Sequence, residues 1–236
     1  MMDMGMTDHL VSLDHISLIA LAFVVVVGLP HGAFDGAIAQ HLGYSRTWRA
    51  MCRFIVVYLG LAGAVVAFWI WQPGLALALF LLISAVHFGY GDATAIGGFA
   101  RSVQIAAHGG VAVFGISLFH LQQVTPLYAA LTHGDVMLAV MLTEFFPLFI
   151  MPVAALYLVA AVRDAALRPR LVELALLCLL FSVVPPLVGF ALYFCVIHTG
   201  RHLRHIWDRV RSDVTPRHIL WQAGLFTLVS WAGGAI

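Results

Sequence analysis

The chain is built from long apolar runs broken at intervals by arginine, and this alternation constrains the fold more than any motif in it. Crossing the hydrocarbon core of a bilayer takes about 20 predominantly apolar helical residues. Runs of that order cover residues 16–40, 54–71, 75–90, 103–121, 136–162, 171–184, 187–205 and 219–236. Of the 236 residues, 62% are hydrophobic and 10% are charged, where a soluble domain has about 45–50% and about 25%. Lipid is therefore the solvent for most of this surface. The expected fold is all-α: a polytopic membrane bundle of about eight transmembrane helices, with residues 1–236 forming a single integral membrane domain.

The stretch 171–205 decides the helix count. As one helix its 35 residues would run about 52 Å at 1.5 Å per residue, well beyond a core of about 30 Å. Pro185-Pro186 interrupts it, because proline removes a backbone donor and restricts the residue before it. The expectation is a tight hairpin of two short helices. Arginine placement supports the same count. With the arginine-free N-terminus outside and eight crossings, Arg46, Arg49 and Arg53 fall in the first inner loop and Arg101 in the second. Arg163, Arg168 and Arg170 fall in the third, and Arg201, Arg204, Arg209, Arg211 and Arg217 at the fourth. All twelve then lie inside, as the positive-inside tendency requires. A single helix over 171–205 would send five of them outside. The expected location is the inner (plasma) membrane.

Several function classes drop out. Net charge is +1 with no basic tail, which gives nucleic-acid binding no support. Cys52, Cys178 and Cys195 are widely spaced and form no CxxC pair, so they read as small apolar residues in helices. Asp3, Asp8 and Asp14 stand where a signal peptide needs a positive region. The chain contains no lysine, which excludes an opsin holding retinal as a Schiff base. The last residues stop inside an apolar run, so the final helix is expected to be short or some tail to be missing.

Twelve histidines, many of them inside apolar runs, point to metal or proton chemistry. The topology above, set by arginines and helix lengths, places His31, His87, His198 and His202 at similar depth in the inner half of the membrane. His198 and His202 are i and i+4, so they share one helix face and can grip one ion. Gly32, Gly89 and Gly200 beside them allow helices to approach closely. Asp35 and Asp92 follow His31 and His87 by four and five positions, and either could accept the distal N–H of a ligating imidazole and fix its tautomer. A lone intramembrane histidine is often only a hydrogen-bond partner between helices. Four at one depth, with an HxxxH pair among them, favour a shared metal site. Imidazole suits iron, copper, zinc or nickel, so residue type alone does not choose the metal.

His108, about a turn inside the fourth run, either supports a ligand or packs against a neighbour. His205 reads as an interfacial residue, and His9, His15, His41, His120, His133 and His218 as loop or interface residues. Glu144 and Glu173 are costly in lipid and are expected to face the bundle interior or the headgroups. Trp48, Trp69, Trp71 and Trp207 fall where an aromatic belt is expected. Phe34, Phe88, Tyr90, Tyr193 and Phe194 flank the histidine segments; they either line an apolar substrate tunnel or simply pack helices.

The segments GLPHGAFD (28–35), HFGYGD (87–92) and YFCVIHTGRH (193–202) resemble the Brp/Blh family of membrane-bound β-carotene dioxygenases, and the helical layout resembles that family over nearly the whole chain. His31 matches the histidine of the family's PHGxxD segment, His87 that of HFGxxD, and His198 and His202 those of HxxRH. The resemblance implies that these four ligate Fe(II). It also implies cleavage of β-carotene by O2 at the central 15,15′ double bond, giving two molecules of retinal, and a functional link to a rhodopsin that uses the product. A hydrocarbon polyene partitions into membrane lipid, where such an enzyme can collect it.

Two rival classes predict different patterns. A lipid desaturase or hydroxylase would resemble three histidine boxes with about eight ligands for two irons, a larger set than the intramembrane one here. A metal or proton transporter would spread ionisable groups along a path through both leaflets, whereas these gather at one depth.

Overall fold

The computed structural model describes residues 13–28, 47–95 and 97–210, with isolated positions 224, 227, 228 and 231. All regular structure among them is helical. Helix α1 (His15–Phe23) starts where the Asp14 carboxylate accepts the Ser17 amide at 2.8 Å, and it continues as a π-helical stretch, Val24–Gly28. Helix α2 (Trp48–Trp71) is capped by the Thr47 hydroxyl, and Gln72 alone joins it to α3 (Pro73–Asp92), whose first residue is proline. Proline suits that position because its missing N–H would have no intrahelical partner there. Helix α4 (Gly98–Gly110) passes through π-helical Val111–Gly115 into α5 (Ile116–Phe119). Then come α6 (Leu121–Thr132), α7 (Met137–Arg163) and α8 (Arg168–Val183). Helix α9 (Pro186–Ala191) runs through π-helical Leu192–His198 into α10 (Thr199–Val210).

Among the described residues, four helices are long and apolar enough to cross a membrane: α2, α3, the continuous Gly98–Phe119 and α7. They match four of the runs read from the sequence. Part of the run at 16–40 and nearly all of that at 219–236 lie outside the described residues.

The break at Val184-Pro185 makes the expected hairpin. Glu173 on α8 and Arg201 on α10 lie on opposite sides of it in sequence, yet their side chains meet at 2.7 Å. One element was not foreseen. The connection after residue 121 is a helix, α6, with Pro126 inside it and a left-handed His133 (φ 53°) ending it. Its polar start, His120-Leu-Gln-Gln, reads as a loop, but tertiary contacts hold it. The Trp69 indole donates to the Leu131 carbonyl at 3.0 Å, Ser117 and Tyr128 hydroxyls meet at 2.7 Å, and a His120 ring nitrogen lies 2.7 Å from the Phe181 carbonyl.

Helix α4 is the centre of the bundle, and small residues put it there. A Cβ on Gly109 would strike the Ala85 carbonyl of α3, and one on Gly89 the Ile105 carbonyl of α4. Backbones this close need glycine at the crossing. Helix α2, by contrast, buries none of its residues, although Trp69 packs against the core. Arg168 donates to the Ala161 carbonyl and Arg101 to that of Ala95. With Arg201 on Asp92, these contacts collect the arginine-bearing ends of α4, α7, α8 and α10 beside the acidic end of α3 at one end of the bundle.

Candidate metal centre

Three of the four expected histidines come together. His87 sits five residues before the end of α3. His198 closes the π-helical stretch and His202 lies one turn into α10. Ring centroids are 5.2 Å apart for His87 and His198, 6.2 Å for His87 and His202, and 6.0 Å for His198 and His202, whose planes differ by only 11°. His198 is fully buried. Gly91 makes room for it: a Cβ there would stand 3.0 Å from His198 Cε1. Gly200, expected to permit close approach, faces open space instead. His31 and Asp35 lie outside the described residues, but Gly28, three positions before His31, packs directly against the Phe194 ring.

Whether these rings suit one ion can be tested on distance. A metal about 2.1 Å from an imidazole nitrogen lies roughly 3.2 Å from the ring centroid, so two rings sharing it are at most about 6.5 Å apart. Each pair falls below that limit, but a point equidistant from the three centroids lies about 3.4 Å from each, slightly too far for the rings to share an ion as placed. In keeping with that, no three His, Cys, Asp or Glu side chains among the described residues are placed to hold a metal ion. The donors fit an imidazole-bound metal in chemistry, and a small closure of the cluster would complete the spacing.

Asp92 does something other than the role expected for it. Its carboxylate accepts from the Tyr193 hydroxyl at 2.7 Å and from Arg201 Nη1 at 2.8 Å, so its hydrogen bonds run to α10 and the π stretch before it rather than to a histidine. Arg201 Nη2 approaches Glu173 Oε1 at 2.7 Å, an ion pair by distance without a directed hydrogen bond, and Glu173 Oε2 accepts from Arg170 at 2.6 Å. Two cations and two carboxylates thus form a neutral chain. Glu173 turns inward as anticipated, while Glu144 is exposed two turns into α7.

His108 is fully buried but belongs to another neighbourhood. Its Nε2 lies 3.4 Å from the Tyr157 hydroxyl, to which Gln104 also donates at 3.2 Å. It packs against α7, not against the histidine cluster. Of the aromatic residues, Phe88, Tyr193 and Phe194 are buried and surround His198, with ring centroids at 4.7, 6.2 and 6.1 Å. Tyr90 is exposed beneath Arg101 and lines a groove of about 500 Å³ with Ala106, Phe114 and Phe149, a lining that does not include His87. Phe34 lies outside the described residues.

Residues 22–236 match a family described as "Beta-carotene 15,15'-dioxygenase". A protein of that name from an uncultured marine bacterium, 66A03, is 34% identical over 220 residues, covering 92% of this chain and 79% of that protein. A probable β-carotene 15,15′-dioxygenase, Blh, from Halobacterium salinarum is 29% identical over 205 residues, covering 78% of this chain and 59% of that protein. No solved structure matches.

Proposed function

The chain belongs to the β-carotene 15,15′-dioxygenase family, and from that premise we propose that it cleaves β-carotene with O2 at the central 15,15′ double bond, giving two molecules of all-trans-retinal. One O2 supplies one oxygen atom to each new aldehyde, so the overall reaction balances without a reductant. The observation that carries the reading is the convergence of exposed His87 and half-buried His202 on buried His198 at the edge of an apolar helical bundle. These three, with His31, would hold Fe(II). When bound, iron supplies the one-electron chemistry that lets triplet O2 react with a closed-shell alkene.

The protein's own part is placement and shielding. Phe88, Tyr193 and Phe194 pack around the His198 ring and leave an apolar wall, which suits a polyene and excludes water. Holding the double bond beside the metal converts an encounter into an intramolecular step. No titratable side chain is required as a base, because no proton leaves the substrate. The substrate and membrane lipid share one phase, so the enzyme draws β-carotene from the bilayer. We read the full chain as about eight transmembrane helices in the inner (plasma) membrane, N-terminus outside, with the metal site in the inner half. A rhodopsin is the natural consumer of the retinal.

The test is retinal formation in carotene-accumulating cells, wild type beside the double variant His198→Ala, His202→Ala. Wild-type cells should bleach and yield retinal while the variant's cells stay orange. Folded wild type that leaves the carotene intact would overturn the reading.

A further inference from the structure

We propose that Arg201 is a positioning residue for the histidine cluster: clamped between Asp92 of α3 and Glu173 of α8, it sets the rotation of α10 and so the inward presentation of His198 and His202. The proposal rests on the metal reading above and deepens it.

Two observations carry it. The first is the clamp itself. Asp92 is fully buried, and Arg201 and Glu173 are each about one quarter exposed, at 25% and 22% of the side chain. Arg201 reaches two carboxylates on two different helices, 2.8 Å to Asp92 and 2.7 Å to Glu173. A guanidinium presents its donors in a rigid planar fork, so holding two such partners fixes its orientation as well as its position. Arg170 on the outer side of Glu173 completes the charge balance. In an apolar bundle an unbalanced charge would be expelled or neutralised, so the pairs are mutually dependent.

The second is helical phase. Tyr193 and Arg201 both bind Asp92, though they are eight positions apart. In an unbroken α-helix they would point about 80° apart at 100° per residue. The stretch from Tyr193 to His198 is π-helical, and its wider turn of about 4.4 residues advances only about 82° per residue. Five such steps and three α steps bring Arg201 to within about 10° of Tyr193. His198 and His202 then stand about 50° and about 90° round from Tyr193, beside the clamped face. The π stretch therefore makes the double grip on Asp92 geometrically available, and the grip fixes where the two histidines point. His87 lies on the same helix as Asp92, five positions earlier, so one carboxylate registers both halves of the cluster.

The test uses the full-length protein in detergent, with Co(II) as the probe metal. Wild type should bind Co(II) with a visible ligand-field spectrum that His198→Ala abolishes. Arg201→Lys, which keeps the charge but loses the fork, should weaken Co(II) binding about 10- to 100-fold. It should also alter the ligand-field spectrum and lower kcat with KM for β-carotene unchanged, while the metal-free protein melts as wild type does. Glu173→Gln should move the same readouts in the same direction by less, and it decides the matter if Arg201→Lys does not fold. Wild-type affinity and spectrum in the folded variants would overturn the clamp and leave the metal reading standing. A wild type that takes up no Co(II) or Fe(II) would overturn the metal reading and the clamp with it.

Discussion

Gly91→Ala tests how tightly the helix backbone fixes the histidine cluster. The added methyl would stand 3.0 Å from His198 Cε1 and 3.3 Å from its Nδ1. Carbon atoms in ordinary contact are about 3.5–4.0 Å apart, so the imidazole must recede by roughly 0.5 Å or more. Metal–ligand distances tolerate about 0.2 Å. A misplacement of about 1 Å costs on the order of 100-fold in rate, so a displacement half as large is expected to cost about tenfold in kcat for retinal formation. Stability should change little. Mild overpacking costs about 1 kcal/mol at the low end, and replacing helical glycine by alanine returns about as much. The assay is retinal formed per unit of purified protein, measured beside iron content and the melting temperature in detergent. Unchanged turnover and iron content would refute the reasoning, because His198 would then have room to move without consequence. A large loss of melting temperature would refute it differently, by showing that the methyl disturbs the α3 backbone rather than the ring.

Other outcomes follow from the same geometry. Gly109→Ala should lower stability by about 1–3 kcal/mol, since the methyl meets the backbone of α3 at Ala85 and Gly89. Gly60→Ala on α2 meets nothing within 4 Å and should melt at or slightly above wild type in the same thermal scan. His108→Leu should leave iron stoichiometry unchanged, because that ring contacts Tyr157 on α7; loss of iron on elemental analysis would return it to the site. Chelation should abolish retinal formation, with Fe(II) restoring it and Zn(II), which has no redox chemistry, failing to do so even when bound.

Much of the architecture was legible from one dimension because lipid imposes a harsh rule. Backbone polar groups must be satisfied within the segment, so apolar length translates directly into helix. That is why residues 54–71, 75–90, 103–121 and 136–162 could be placed as crossings, and why Pro185-Pro186 could be read as the corner of a hairpin. The histidines of the apolar runs draw attention for a related reason: an ionisable side chain in lipid is expensive enough to stand out against its surroundings. Helix α6 escaped because its polar start carries no such signal, and it is held by Trp69, Ser117 and Phe181 from elsewhere in the chain. Asp92 was singled out, but its partners were not. Tyr193 and Arg201 lie 101 and 109 positions away, and only a π-helical advance in phase brings both to one carboxylate. From the sequence His108 either supports a ligand or packs against a neighbour, and Tyr90 flanks a histidine segment; helix rotation turns one toward α7 and the other to an outer groove. The sequence by itself determined the solvent, the helices and the chemistry of the donors, because those depend on composition and local length. The tertiary structure decided which faces meet, because that depends on helix phase, on glycines that let α3 and α4 touch, and on charges that must gather around the buried Asp92 carboxylate.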